Sequence, residues 1–178
     1  KAERVTRSFF KEADESIILL GGLPHELGGS YFLQTEYGTK EGTCPNVDLN
    51  EEKKIQDFLI KTIDSGNIHA AHDLAEGGLL VATAEMLFEK PELGVDLTID
   101  SLGDSNRLDA LLFGESQGRV LVSVCKDKKE DILRAAVQDG LPAVLLGNTT
   151  NTGQFKLLVE GNEILDSPVN KLHKIWSE

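Results

Sequence analysis

The chain has 178 residues, enough for one domain whose hydrophobic core needs neither disulfides nor structural metals. Eighteen Lys and Arg residues against 30 Asp and Glu residues give a formal net charge of −12, which repels phosphate backbones and argues against nucleic acid as a partner. The longest apolar runs, such as 17–20 and 78–82, are too short to cross a bilayer, so we expect no membrane association.

The N-terminal residues and the cysteines indicate a cytoplasmic protein. Residues 1–7 carry charge but are not followed by an apolar segment of the length that a signal peptide requires. Cys44 and Cys125 form no metal or redox motif, and we interpret them as two unpaired thiols in a reducing compartment.

The first predicted element is a short buried strand at 16–21, and a glycine-rich turn follows it at 21–30. A helix then begins at Asp48 or Asn50, because apolar residues recur at helical spacing from there until Gly66 ends the pattern. The later strands are predicted at 68–72, 95–99, 119–125, 143–146 and 155–159, and the later helices at 79–88, 106–112, 130–138 and 172–176.

This interleaved order predicts an α+β domain with a mixed β-sheet. Several strands alternate apolar and polar residues, which indicates that one sheet face lacks a helical cover, so we expect helices mainly on one face. The segment GNTTNTG at 147–153 is predicted to be a hairpin loop. Residues 1–14 are interpreted as a linker arm from an upstream domain, and residues 15–178 as the domain itself.

The first candidate site is the segment AHDLAEGG, in which a strand runs through a loop into a helix. Gly77 and Gly78 permit a tight turn and the close approach of a phosphate to the backbone N–H groups of a helix start. Asp73 and Glu76 could hold Mg²⁺, which prefers oxygen ligands. The alternative is an ordinary capped helix start, in which His72 is a packed side chain at a strand end.

The second candidate site is the segment LFGESQGR, which lies between a helix and a buried strand. It gathers Gly114, a carboxylate at Glu115, an amide at Gln117 and a guanidinium at Arg119, the last of which suits phosphate by bidentate hydrogen bonding. The alternative is a polar turn with a surface arginine. A third segment, HELGGS at 25–30, could form an anion-binding nest or a flexible loop.

Together these three segments resemble the C-terminal part of the phosphoribosylformylglycinamidine synthase family, over nearly the whole chain. AHD followed by GGL is also similar to hydrogenase-maturation and aminoimidazole-ribonucleotide synthase relatives. LFGESQGR is the more specific segment and points to the formylglycinamidine enzyme. The resemblance implies the aminoimidazole-ribonucleotide-synthase C-terminal fold. It also implies an ATP-dependent carbon–nitrogen ligase that uses glutamine as amido donor. In that reaction ATP phosphorylates the amide oxygen of formylglycinamide ribonucleotide, and ammonia then displaces the phosphorylated oxygen as phosphate.

The same resemblance implies roles for individual residues. Asp73 and Gly114 match ATP-contacting positions, Glu115 matches a position associated with Mg²⁺, and Gln117 matches a substrate-contacting position. The secondary candidates around them are His72, Glu76, Gly77, Gly78 and Arg119. No Ser-His-Asp order, HExxH or CxxC motif is present, and the catalytic histidine of the family has no match, so we expect no catalytic residue in this chain.

The family further implies partners: upstream domains of the same synthase, a glutaminase subunit, a small bridging subunit and the substrate formylglycinamide ribonucleotide. The chain starts without an initiator methionine, which favours a piece of a longer protein, inactive alone. Two alternatives remain open. The chain could be a structural nucleotide-binding module, or a related ATP-dependent maturation or kinase-like enzyme of the same superfamily.

Overall fold

The computed structural model describes residues 5–23, 26–101 and 107–178. Within these residues seven strands form one sheet in the order β2-β4-β1-β5-β3-β6-β7. Neighbouring strands are antiparallel except for β3 and β6, which are parallel, so the sheet is mixed. The strands are β1 Glu15–Leu20, β2 Ile68–Asp73, β3 Gly94–Ile99, β4 Val120–Cys125, β5 Ala143–Thr150, β6 Gln154–Val159 and β7 Asn162–Pro168.

Six α-helices accompany this sheet in the described residues. Asp48 caps the second of them, where its side chain accepts hydrogen bonds from the backbone N–H groups of Asn50 and Glu51, as expected for a helix start. The helices are α1 Tyr31–Tyr37, α2 Leu49–Asp64, α3 Gly78–Phe88, α4 Leu108–Phe113, α5 Lys129–Gln138 and α6 Val169–Trp176. None of them is both long and apolar enough to span a membrane.

Strand β1 is buried along its whole length because helices cover both of its faces. Ile17 and Leu19 face a large core to which α3 and α4 contribute, together with Val169 of α6. Ile18 and Leu20 face a smaller core formed with α2 and α5. The alternation follows from the two-residue period of a strand, and each fully buried Leu or Ile contributes about 1.5–3 kcal/mol.

The predicted α+β class and mixed sheet are confirmed, but the helices are distributed more evenly than expected. They lie on both faces over β2, β4 and β1, whereas β3 keeps Asp96 and Thr98 exposed opposite its buried residues. The open face suggested by the alternating strands therefore occupies only the part of the sheet that contains β3. Strand β1 carries apolar residues on both faces, which should have indicated two helical layers.

The predicted hairpin at 147–153 is wrong. Strand β5 continues to Thr150, and β3 lies between β5 and β6 in the sheet. A Cβ atom on Gly147 would lie 1.9 Å from the carbonyl oxygen of Asp96, so this glycine permits the close approach of β3 rather than a turn. Local turn propensity could not reveal that a distant strand is inserted between two consecutive ones.

Four further regions differ from the prediction or extend it. Helix α1 and strand β7 were not predicted, and the helix predicted from residue 106 begins at Leu108, with residues 102–106 outside the described residues. In the described part of the predicted arm, Phe10 is fully buried in the large core. The carbonyl of Arg7 also accepts a hydrogen bond from Ala71 N–H, so this segment packs against the domain.

Candidate functional site

The carboxylate of Glu115 joins three segments that are far apart in the sequence. Its Oε1 atom accepts one hydrogen bond of 2.9 Å from the backbone N–H of Gly77 and another of 2.9 Å from that of Tyr31. Gly77 is the first of the two glycines that end the segment AHDLAEGG, and Tyr31 directly follows HELGGS. The three segments singled out in the sequence therefore meet at one side chain, although His25 lies outside the described residues.

The glycines at this meeting point are required by backbone conformation and by close packing. Gly77 and Gly78 have φ values of +78° and +67°, which side-chain-bearing residues rarely adopt. A Cβ atom on Gly78 would lie 2.8 Å from the carbonyl oxygen of Gly114. Helix α3 thus begins with its backbone directly against the loop that carries Glu115.

Arg119 is not the surface residue of the polar-turn alternative. It is 3 % exposed, and its Nε and Nη2 atoms donate to the carbonyl oxygens of Ser116 and Gly114 at 2.9 and 2.7 Å. Burial lowers the pKa of Arg119 to about 10. The guanidinium therefore fixes the shape of the loop at 114–116 from beneath.

Aromatic packing holds helix α1 on the same loop. The rings of Phe32 and Phe113 stack with their centroids 4.7 Å apart and an interplanar angle of 15°. The side chain of Ser30 caps the helix by accepting a hydrogen bond from the N–H of Leu33. These contacts explain why Tyr31 N–H is directed at Glu115.

Asp73 and the Glu115 loop lie at the same end of the sheet. Asp73, the last residue of β2, is paired with Val120 at the start of β4, and its side chain is 81 % exposed. The next residue, Leu74, donates its N–H to the carbonyl of Arg119 at 3.0 Å. Gln117 is also exposed, so both side chains are accessible to a ligand.

His72 lines a cavity of about 480 Å³ beside this loop. Its Nδ1 atom is 2.7 Å from the carbonyl oxygen of Asp73, and its Nε2 atom is 3.3 Å from a carboxylate oxygen of Glu85. Both ring nitrogens therefore face acceptor oxygens, which favours a positioned ring over a free general base. The cavity is lined by Tyr31, His72, Ala75, Glu76, Gly77, Val81, Ala82, Glu85 and Trp176.

The sequence reasoning missed six lining residues of this cavity, of which Tyr31 and Glu85 also contact other residues of the site. Glu85 could have been found, because it lies seven residues after Gly78 on α3 and therefore on the same helical face. Nothing in the local sequence identifies Tyr31, because its role depends on a contact across 84 residues.

The glycines of HELGGS are explained by packing of the chain on itself. A Cβ atom on Gly28 would lie 2.0 Å from the carbonyl oxygen of Thr43. Gly29 has a φ of +75° and donates its N–H to the carbonyl of Glu41. The described part of this segment is therefore folded against 41–43 instead of being a flexible loop.

The fold and the site define an α+β domain with a mixed sheet, in which one carboxylate joins a glycine-rich strand-to-helix loop and a helix-to-strand loop. The family model of the AIR synthase related protein, C-terminal domain, matches residues 12–160. The chain belongs to this family.

The similar proteins are more particular. The chain is 37 % identical to phosphoribosylformylglycinamidine synthase subunit PurL of Symbiobacterium thermophilum, over 99 % of this chain and 24 % of that protein. It thus spans about a quarter of this relative. Two solved structures share the fold at 21 % identity and cover 96 % of this chain: Thermotoga maritima PurL complexed with FGAR, with a TM-score of 0.83 over 30 % of that chain, and T. maritima PurL complexed with ATP, with a TM-score of 0.77 over 27 % of that chain.

Proposed function

We propose that this chain is the C-terminal domain of a phosphoribosylformylglycinamidine synthase and that the Glu115 loop forms part of its nucleotide site. The observation that carries the proposal is the convergence of three glycine-rich segments on the Glu115 carboxylate, at the same end of the sheet as the exposed Asp73. Similarity to PurL over almost the whole chain and the fold shared with an ATP complex of PurL support it.

In this proposal each site residue has a defined task. Asp73 and the backbone at Gly114 contact the nucleotide, and the exposed Gln117 contacts the substrate. Arg119 acts as a positioning residue, because its two donors to loop carbonyls already hold it inside the fold. His72, Glu76 and Gly77 line the adjacent cavity, while Gly78 allows helix α3 to start against the loop.

The donor set is compatible with Mg²⁺ that is shared with phosphates. Proteins usually bind Mg²⁺ through one or two carboxylates, and phosphate oxygens and water complete the octahedron. Glu115 uses Oε1 for its two N–H donors, which leaves Oε2 available, and the exposed Asp73 carboxylate lies at the same sheet end. The ion would neutralise charge on the phosphates during phosphoryl transfer, a contribution that an acidic domain especially needs.

We infer that the reaction is completed by parts of the synthase outside this chain. The catalytic histidine of the family has no match in this chain, and both ring nitrogens of His72 already face acceptor oxygens. Upstream domains would supply the catalytic histidine, and a glutaminase subunit with a small bridging subunit would supply ammonia from glutamine. We expect the complex to work in the cytoplasm on formylglycinamide ribonucleotide.

Nucleotide titration of the protein with the variants Asp73→Asn and Glu115→Gln tests the proposal. Both substitutions keep the side-chain shape and remove one charge, so we expect weaker binding of Mg²⁺-ATP with little change in thermal stability. Glu163→Gln removes an exposed charge from β7, at the opposite edge of the sheet, and serves as the control. Unchanged affinity in both site variants would refute the shared nucleotide site.

The engagement of His72 also supports a second function for this site, namely structural binding of a nucleotide that does not react. A structural nucleotide would remain bound through purification and would exchange slowly with labelled ADP. A catalytic nucleotide would exchange on the timescale of turnover.

A further inference from the structure

A second cluster of ligand-type side chains lies at the other end of the sheet from Asp73. Glu12 precedes β1, Glu15 begins β1, and His69 lies where the register of β2 shifts against β4. The Nδ1 atom of His69 is 2.5 Å from Glu15 Oε1 and 4.0 Å from Glu12 Oε1. One donor atom from each of the three residues falls within 4.8 Å of the others.

Glu15 is buried to a degree that is unusual for a carboxylate. It is 2 % exposed, and its Oε2 atom has no hydrogen-bond partner among the described residues. A buried charged group is costly unless it is paired or coordinates a metal. His69 satisfies one oxygen, and the other oxygen remains available to a ligand.

The backbone fixes the two glutamates in place. Thr149, which is almost fully buried, accepts a hydrogen bond from Glu15 N–H at 2.9 Å and donates one to the Glu12 carbonyl at 2.8 Å. Asp14 between them adopts a φ of +64° and donates its N–H to the carbonyl of Thr149. The turn is therefore held by the side chain and the backbone carbonyl of a single residue of β5, and it does not depend on a bound ion.

Negative charge at this cluster is poorly compensated. Among the described residues, no lysine or arginine forms an ion pair with Glu12 or Glu15, and both carboxylates face His69. Cys125 is paired with Glu15 across β1 and β4. Its pKa is raised first by desolvation and then by the negative charges of Asp127 and Glu12.

We propose that Glu12, Glu15 and His69 form a binding site for a divalent cation of the Zn²⁺ type. An imidazole nitrogen with two carboxylate oxygens is a ligand set that Zn²⁺ accepts, at about 2.0–2.2 Å from each atom. Mg²⁺ favours oxygen ligands alone and would not select this site. The ion replaces the proton on His69 Nδ1, which is released to solvent.

Only small movements are needed to form the site. Ligand atoms around a tetrahedral ion lie roughly 3.3 Å apart, so the contact between His69 and Glu15 must open and that between His69 and Glu12 must close. Glu12 is 67 % exposed and can move freely. The bound ion would tie the segment that precedes β1 to β2, in a region remote from the Glu115 loop.

Isothermal titration of metal-stripped protein with ZnCl₂ alone tests the site, with His69→Ala and Glu12→Gln as variants. We expect one tight site in the wild type and a loss of affinity of at least about 10-fold in each variant. His173→Ala removes an imidazole that stacks on Phe88, away from the cluster, and should bind as the wild type does. Glu12→Gln keeps the test valid if His69→Ala does not fold, since Glu12 is exposed.

Anomalous diffraction from crystals grown with ZnCl₂ gives an independent result. A peak within bonding distance of His69 Nδ1 and the two carboxylates is expected. If the wild type binds no Zn²⁺, if the variants bind it equally well, or if the peak lies elsewhere, then His69 and Glu15 form a simple buried hydrogen bond and the proposal is wrong. Because the nucleotide site is at the opposite end of β4, either outcome leaves the proposed function untouched.

Discussion

The Oε1 atom of Glu115 accepts a 2.9 Å hydrogen bond from the backbone N–H of Gly77, across 38 residues of sequence. The same oxygen accepts the N–H of Tyr31, so one carboxylate holds the start of α3 and the start of α1 together. Removal of this carboxylate should therefore affect both the stability of the domain and the geometry of the candidate site.

Replacement of Glu115 by alanine should destabilise the protein by about 1–3 kcal/mol, because two N–H groups lose a charged acceptor. Glu115→Gln keeps an acceptor oxygen and should cost less. Urea unfolding measures both values, with the exposed Glu163→Gln as control. Equal stability of Glu115→Ala and the wild type would show that solvent replaces the carboxylate.

Gly78→Ala should destabilise more than Gly140→Ala, although both glycines have a φ of +67°. The shared penalty for this backbone conformation is about 1–2 kcal/mol. A Cβ atom on Gly78 would also clash with the loop at Gly114, whereas one on Gly140 meets nothing within 4 Å. The difference between the losses of unfolding free energy in the two variants measures the cost of the clash. Equal losses would argue against the tight contact between α3 and the loop.

Arg119→Lys should cost about 1–3 kcal/mol, because an ammonium cannot reproduce the two-pronged contact with the carbonyls of Ser116 and Gly114. Arg134→Lys, on the exposed side of α5, should be close to neutral and serves as the control. Thermal or urea unfolding gives both numbers. A neutral Arg119→Lys variant would show that the loop keeps its shape without the guanidinium.

Alkylation of Cys125 should be slow at pH 8 and should accelerate as the pH rises. Desolvation, followed by the charges of Asp127 and Glu12, raises the pKa of this thiol, so the reactive thiolate is scarce below the raised value. Glu12→Gln removes one of these charges and should increase the rate. Iodoacetamide kinetics in a Cys44→Ser background report on Cys125 alone. An unchanged rate in Glu12→Gln would show that the Glu12 charge does not raise the pKa of Cys125.

Patterns within short stretches of sequence were sufficient to predict most helices and strands of the fold. The cap at Asp48 and the strand, loop and helix around Asp73 were predicted because propensity, periodicity and glycine positions act over a few residues. Helix α1 escaped prediction since it is short and none of its residues is buried. Family resemblance, carried by AHDLAEGG and LFGESQGR, supplied the fold type and the candidate residues.

The sequence by itself therefore determined the α+β class, the family and the three segments that form the candidate site. Only the tertiary structure decided which residues of these segments contact one another. Glu115 meets Tyr31 across 84 residues, Glu15 meets His69 across 54, and β3 enters the sheet between β5 and β6. Such contacts depend on strand register and on the packing of two cores. Both involve residues that are far apart in the sequence, so no short stretch of residues predicts them.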